Sequence, residues 1–211
     1  MLDRYDIPLE IPAEGKFILV NIPAFEVVAF HNGEPVLRSR VIVGTPWTRT
    51  PLITTFVSAV RFRPSWRPTP SMVASGEYKD YVRPPGPNNP LGLAAVRLEP
   101  GLLVYLHGTN KPGLFELQQR ALSHGCIRVE LWDELVAFVL DVNVEAVHAY
   151  AGGNRTFDAA ADPTPVELGY YLSFPDPSGR LIRYEDIYGI GDRVSQAPSV
   201  SRAGGLCAPE T

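Results

Sequence analysis

The stretch FILVNIPAFEVVAFHNGEPVLRSRVIV, residues 17–43, decides the fold class of this chain. It contains three runs of apolar and β-branched residues, at 17–22, 25–30 and 36–43, and each run has the length of a single strand. Asn32-Gly33 separates the second run from the third, and both residue types tolerate the positive φ of a tight hairpin turn. The stretch therefore predicts three strands, with the last two paired as an antiparallel hairpin.

The remainder of the chain continues this β-rich pattern around one clear helix. Residues 130–140 place Leu131, Leu135, Phe138 and Val139 on one face of a helix, which predicts an amphipathic helix. A shorter helix is expected within 114–121, and further strands are expected at 54–62, 93–98, 102–106, 144–150, 166–174 and 181–184. The pattern predicts a mostly β fold, a sandwich or barrel with one main helix against one side.

Composition restricts the class of protein further. The chain has 211 residues with 45% hydrophobic and 20% charged residues, which is typical of a globular domain and excludes disorder for most of its length. A net charge of -4 disfavours nucleic acid as a partner. No apolar run approaches the ~20 residues needed to span a bilayer, and the opening residues lack the apolar core of a signal peptide. Two cysteines, Cys126 and Cys207, cannot build a multi-disulfide framework.

Residues 64–90 are expected to form an irregular connection, because they are rich in proline. Proline removes a backbone donor and fixes φ, which excludes a long helix or a central strand in this region. Trp66, Met72 and Tyr78 supply apolar anchors, so the connection is expected to be ordered and to pack onto the domain.

The stretch YLHGTNKPGLFELQQRALSHGCIRVE, residues 105–130, concentrates groups that carry chemistry. It contains His107, His124 and Cys126, and an imidazole near a thiol favours the nucleophilic thiolate. The backbone N–H groups of Gly125 and Cys126 are candidates to bind an oxyanion. The helix expected from residue 130 would begin a few residues after Cys126, where its positive end would favour the thiolate further.

Either histidine can be the base on the residues alone. His124 lies two residues from Cys126, whereas His107 ends an apolar strand and would need an acceptor for its second ring nitrogen, for which the carbonyl of Gly108 is the candidate. Two alternatives stay open at this point. Cys126 can be a buried structural residue, or His107, His124 and Cys126 can ligate zinc.

A family resemblance narrows these alternatives. His107, a spacer of fifteen residues and then Ser123-His124-Gly125-Cys126-Ile127-Arg128 resemble the signature of the YkuD-type L,D-transpeptidases. Residues 20–51 resemble the opening strands of that family, and residues 84–92 and 170–189 resemble its YcbB-like subgroup, without the extra N-terminal domains of that subgroup. The resemblance implies an N-terminal extension at 1–15, a catalytic domain over 16–190 that includes a C-terminal strand pair, and a flexible tail at 191–211.

The resemblance also implies roles for individual residues. Cys126 is implied as the nucleophile, His107 as the base and His124 as a supporting residue of the site. The remaining residues with implied roles are Gly125, Cys126 and Gly108 for backbone contacts around the oxyanion, and Arg128, Ser123 and Trp66 for substrate binding.

The reaction implied by the resemblance is cleavage of an L,D peptide bond in a peptidoglycan stem and transfer of the acyl group to the amine of a second stem. This transfer gives a 3–3 or another non-4–3 cross-link. The reaction is expected in the periplasm or cell envelope, and the enzyme is expected to be a monomer that needs no metal and no cofactor. Carbapenems are the expected inhibitors. With water as the acceptor, the same site would be an L,D-carboxypeptidase or endopeptidase. A non-catalytic module that binds peptidoglycan or zinc is the alternative from a different class.

Overall fold

The computed structural model of the protein describes residues 7–191, and Cys207 lies outside the described residues. The strands within this range are β1 (Lys16–Asn21), β2 (Glu26–His31), β3 (Glu34–Gly44), β4 (Ile53–Phe56), β5 (Ala59–Phe62), β6 (Ala94–Arg97), β7 (Tyr105–His107), β8 (Ala121–Ser123), β9 (Ile127–Val129), β10 (Phe157–Ala160), β11 (Pro165–Gly169), β12 (Ser173–Pro175) and β13 (Leu181–Arg183). The α-helices are α1 (Pro70–Ala74), α2 (Trp132–Leu140) and α3 (Val144–Gly152), and Pro112–Glu116 forms a short 3₁₀ helix.

The expected hairpin is confirmed and lies near the middle of a large mixed sheet. β2 and β3 pair antiparallel around Asn32 and Gly33, whose φ angles are 52° and 80°. The sheet runs in the order β10-β5-β6-β7-β9-β3-β2-β1-β11-β4, with β8 paired to β3, and β12 and β13 form a separate pair. The sheet curls into a half-barrel, which confirms the mostly β class.

Two parallel pairings bring distant parts of the sequence together in the interior of this sheet. β7 and β9 run parallel, with His107 opposite Arg128. β8 runs parallel to the end of β3, with Ser123 opposite Gly44. These pairings place the end of β7, the residues between β8 and β9, and the end of β3 beside one another.

The core consists of apolar side chains on both faces of the β1–β2 hairpin. Ile18, Val20 and Val27 belong to the main core, while Phe17 and Leu19 pack on the other face with the fully buried Phe174. A large apolar side chain contributes about 1.5–3 kcal/mol when it is fully buried. Burial on both faces explains why these strands are continuous apolar runs without alternating polar residues.

The structure differs from the sequence prediction most clearly at residues 144–150. They were expected to form a strand, and they belong instead to helix α3. Asn143 caps this helix, since its side-chain oxygen accepts from the backbone N–H of Ala146 at 2.9 Å. Val147 and Ala151, four residues apart, form its buried face. The strand prediction was wrong because it weighed the β-branched residues above this cap and spacing.

Other element bounds shift without changing the fold class. The main helix begins at Trp132 rather than residue 130, and the short helix is the 3₁₀ segment Pro112–Glu116. The expected strand at 54–62 divides into β4 and β5, and that at 166–174 divides into β11 and β12. Within residues 7–191 no single helix has the length and hydropathy of a membrane span. Helices α2 and α3 together have that length and hydropathy, but they are bent by 107° where they meet.

The proline-rich connection is ordered and packed, as expected. Trp66 and Met72 are buried together with Leu91, and Tyr78 packs against them. The backbones of Trp66 and Arg83 pair antiparallel, with N···O distances of 2.9 and 2.7 Å, so that the two ends of the segment 66–83 are held together. We call residues 66–83 the wall segment, because they form one side of the cleft described below.

Substitution of Gly44 tests the close packing at the end of β3. A Cβ at this position would lie 2.6 Å from the backbone nitrogen of Thr50 and would also meet the carbonyl oxygen of Thr48. Gly44→Ala is therefore expected to cost about 1–3 kcal/mol, since the neighbouring atoms are backbone and cannot turn away. Thermal unfolding measures this as a fall in Tm of about 2–4 °C per kcal/mol for a chain of this size.

Gly113 supplies the matched control, because a Cβ there would meet nothing within 4 Å. Gly113→Ala should leave the Tm unchanged. Equal Tm values for the two variants would contradict the packing described at Gly44.

Candidate active site

A single cleft brings together the side chains that the sequence singled out. Its lining includes Trp66, Met72, Tyr78, Pro90, Leu91, His107, Ser123, His124, Cys126 and Arg128. The parallel pairing of β7 with β9 supplies one side of the cleft, and the wall segment supplies the other.

His107 ends β7 and is buried as a neutral imidazole. Its Nδ1 lies 2.6 Å from the carbonyl oxygen of Gly108, the acceptor expected from the sequence. A carbonyl only accepts hydrogen bonds, so this contact favours the tautomer with the proton on Nδ1 and a lone pair on Nε2. The backbone of Leu91 is a further hydrogen-bond partner of the ring. Burial, together with the positive charge of Arg128, lowers the pKa of His107 from 6.5 to about 3. The ring is therefore in the protonation state that a general base requires.

Cys126 is the residue directly before β9 and is almost fully buried. It packs with Ala95 and Tyr105, and its Sγ lies 3.9 Å from the carbonyl oxygen of Leu103. Helix α2 begins at Trp132, after β9, and not directly behind the cysteine. The effect of a helix dipole falls off within its first turn, and the contribution of the N-terminus of this helix at the sulfur stays a prediction.

Ser123 determines the local conformation of the loop that carries Cys126. Its Oγ accepts from the backbone N–H of Gly125 at 3.0 Å and donates to the carbonyl oxygen of Cys126 at 2.6 Å. Gly125 has a φ of 110°, a conformation that other residues rarely adopt. Since the N–H of Gly125 is bonded to Ser123, the N–H of Cys126 is the better candidate for binding an oxyanion.

Threonines from the loop after β3 hold the same segment from outside. Thr50 Oγ1 donates to the carbonyl oxygen of Gly125, and Thr48 Oγ1 donates to that of Ser123, both at 2.9 Å. Sequence reasoning missed these residues. The run of polar β-branched residues in GTPWTRT, between two strands, is the signal that was available.

His124 points to the wall segment. Its Nε2 lies 2.8 Å from Oε2 of Glu77, a residue that sequence reasoning also missed. The side chain of His124 is 28% exposed, whereas His107 is buried. Because Nε2 of His124 is engaged by a carboxylate, this histidine is less suited than His107 to accept a proton in the cleft.

Arg128 presents a desolvated cation to the cleft. Burial lowers its pKa, and among residues 7–191 no acidic side chain forms an ion pair with it. A planar guanidinium that has no acidic partner among these residues can bind a carboxylate through two parallel hydrogen bonds.

Aromatic rings form the opposite side of the cleft. Trp66 packs edge-on against Tyr78, with centroids 5.2 Å apart, and against Tyr81 at 6.3 Å. In the part of the chain that the structure describes, no three histidine, cysteine, aspartate or glutamate side chains are grouped to hold a metal ion.

The fold and the cleft define a β-rich protein with a cysteine, a neutral histidine and, within the described residues, an arginine without an acidic partner around one pocket. The sequence model of the YkuD family, the L,D-transpeptidase catalytic domain, matches residues 15–167. The chain belongs to this family. Membership of the YcbB-like subgroup stays a prediction.

Known relatives agree with this assignment by name. The chain is 28% identical over 230 aligned residues to a Haemophilus influenzae protein named as an L,D-transpeptidase, covering 89% of this chain and 47% of that protein. It is 41% identical over 80 residues to the Escherichia coli K12 protein YbiS, also named as an L,D-transpeptidase, covering 36% of this chain and 24% of YbiS. The chain therefore spans less than half the length of these relatives.

Solved L,D-transpeptidases match part of the chain at low identity. The enzyme from Mycobacterium smegmatis superimposes with a TM-score of 0.43 at 18% identity, covering 72% of this chain and 58% of that one. The catalytic domain of the Enterococcus faecium enzyme, acylated by ertapenem, gives 0.42 at 15% identity, covering 74% and 97%.

The buried neutral His107 has a measurable effect on stability. Its pKa is about 3 in the folded protein and near 6.5 when unfolded, so between these values only the unfolded chain takes up the proton. Stability should therefore fall as the pH drops below about 6.5, at up to about 1.4 kcal/mol per pH unit from this group. Thermal unfolding between pH 7.0 and 4.5, compared with His107→Gln, isolates the effect.

The glutamine variant should show a flatter dependence of Tm on pH across this range. Parallel curves for the two proteins would contradict the burial of a neutral imidazole at this position.

Proposed function

We propose that the protein is a cysteine-dependent L,D-transpeptidase acting on peptidoglycan stem peptides. The observation that carries the proposal is the state of His107, a buried neutral imidazole that keeps Nε2 unprotonated in the cleft that Cys126 also lines. Family membership supports the same activity.

The first half-reaction transfers the acyl group to the cysteine. In the reduced enzyme, Nε2 of His107 takes the thiol proton of Cys126, and the sulfur attacks the carbonyl carbon of the L,D peptide bond. The N–H of Cys126 stabilises the resulting oxyanion. The intermediate collapses as the C–N bond breaks, the leaving amine takes the proton from His107, and a thioester remains.

The second half-reaction releases the acyl group. The amine of a second stem attacks the thioester and passes a proton to His107. The C–S bond then breaks, the proton returns to the sulfur and a new amide cross-links the two stems. We assign a 3–3 link as the product, and the same chemistry with water as acceptor gives an L,D-carboxypeptidase or endopeptidase.

The walls of the cleft suit a stem peptide. Arg128 is positioned to bind a carboxylate of the stem, and Trp66 offers an apolar wall for its aliphatic part. Ser123 orders the loop through its two hydrogen bonds, and we assign His124 a supporting role through Glu77. A peptidoglycan substrate places the working enzyme in the cell envelope or periplasm, and carbapenems are the expected covalent inhibitors.

Muropeptide analysis tests this function. Purified protein is incubated with disaccharide-tetrapeptide muropeptides under reducing conditions, and the products are analysed by mass spectrometry. The wild type should form cross-linked dimers, and Cys126→Ala should form none while keeping its Tm, because only the nucleophile is removed.

Cys207→Ala is the matched control and should behave like the wild type. Trimmed stems without dimers would identify a carboxypeptidase instead. Activity retained in Cys126→Ala would contradict the nucleophile assignment, and unchanged muropeptides with every protein would favour a non-catalytic module.

A further inference from the structure

Residues 170–191 lie beyond the region matched by the family, and they contact the loop that supports the nucleophile. Tyr188 makes this contact and is only 4% exposed. Its hydroxyl donates to the carbonyl oxygen of Gly44 at 2.8 Å and accepts from the backbone N–H of Thr50 at 3.1 Å. One side chain thus joins both ends of the loop between β3 and β4.

Tyr188 is itself held by neighbours on both sides. Its ring stacks on Tyr170 with centroids 5.5 Å apart, and its N–H donates to the Tyr170 hydroxyl at 2.8 Å. Tyr170 in turn donates to Asp186 at 2.6 Å. The guanidinium of Arg49 lies over the Tyr188 ring and donates to its carbonyl oxygen at 2.9 Å. Burial raises the pKa of Tyr188, so its hydroxyl remains a donor in neutral solution.

Thr50 connects Gly44, which Tyr188 holds, to Gly125 in the loop that carries Cys126. Its Oγ1 accepts from the N–H of Gly44 and donates to the carbonyl oxygen of Gly125, both at 2.9 Å. The peptide between Gly125 and Cys126 is planar and trans, so its C=O and N–H point in opposite directions. Fixing the carbonyl of Gly125 therefore fixes the direction of the N–H of Cys126.

We infer that Tyr188 is a positioning residue of the active site, which orients the N–H of Cys126 through Thr50 and the Gly125 carbonyl. The inference rests on the proposed function, since that N–H is the oxyanion donor in it. It makes the segment after the family domain part of the catalytic apparatus, although Tyr188 does not touch the substrate.

The test compares isosteric variants under reducing conditions and well below each variant's Tm. Tyr188→Phe removes the bridging hydroxyl and Thr50→Val removes the relay hydroxyl, while Thr50→Ser keeps it. Tyr150→Phe is the control, because Tyr150 packs against Phe62 and Phe157, away from the cleft. The readout is acylation by ertapenem, separated into the first-order acylation constant and the dissociation constant of the initial complex.

Tyr188→Phe and Thr50→Val should lower the first-order constant by about 10-fold or more with little change in the dissociation constant. A lost oxyanion donor costs about 10²–10³-fold, and a misdirected donor costs part of that. Thr50→Ser and Tyr150→Phe should match the wild type. This pattern is not expected of a purely structural residue, whose loss would reduce the folded fraction and not the rate of the folded enzyme.

A wild-type acylation constant in either Tyr188→Phe or Thr50→Val would overturn the inference, as would a serine variant as slow as the valine variant. Failure of the proposed function is distinguishable, because Cys126→Ala would then be acylated like the wild type. If Cys126→Ala is not acylated and Tyr188→Phe reacts normally, only the inference fails.

Discussion

The parallel pairing of β7 with β9 is the constraint on which the site depends. It sets His107 beside Arg128 and brings the residue before β9, Cys126, to the same cleft. Parallel neighbours cannot be joined by a tight turn and need a crossover of about a dozen residues or more. Residues 108–126 supply that crossover, and they contain the fifteen-residue spacer before Ser123, the 3₁₀ helix and β8. The spacing of the sequence motif is therefore a topological requirement of the sheet.

The electrostatics of the cleft follow from the same pairing. Burial of the histidine, together with the arginine beside it, keeps the imidazole neutral, and the Gly108 carbonyl favours the proton on Nδ1. The arginine keeps its charge and has no acidic partner within the described residues, so a substrate carboxylate can supply one. In the proposed mechanism, one pair of strands thus provides a base that is ready to accept a proton and a cation that orients the substrate.

Local sequence patterns predicted the hairpin, the main helix and the residues of the cleft. Asn32-Gly33 and the apolar runs specify structure through short-range preferences, and the family resemblance carried by the motif from His107 to Arg128 implied that His107 and Cys126 share a site. Helix α3 was missed because Val144 and Val147 favour a strand, while the cap at Asn143 and tertiary packing favour a helix. Glu77, Thr50 and Tyr188 were not predicted, because they reach the site through contacts between residues 47 to 138 positions apart. Local periodicity carries no signal of such contacts.

Intact-protein mass spectrometry with ertapenem, followed over time and combined with peptide mapping, tests the pairing of Cys126 and His107 most directly. The wild type under reducing conditions should gain one adduct, mapped to Cys126. His107→Gln should form the same adduct about 10²–10⁴-fold more slowly, the usual effect of losing a general base. An adduct on another residue, or an equal rate in the two proteins, would contradict the assignment of Cys126 as nucleophile and His107 as its base.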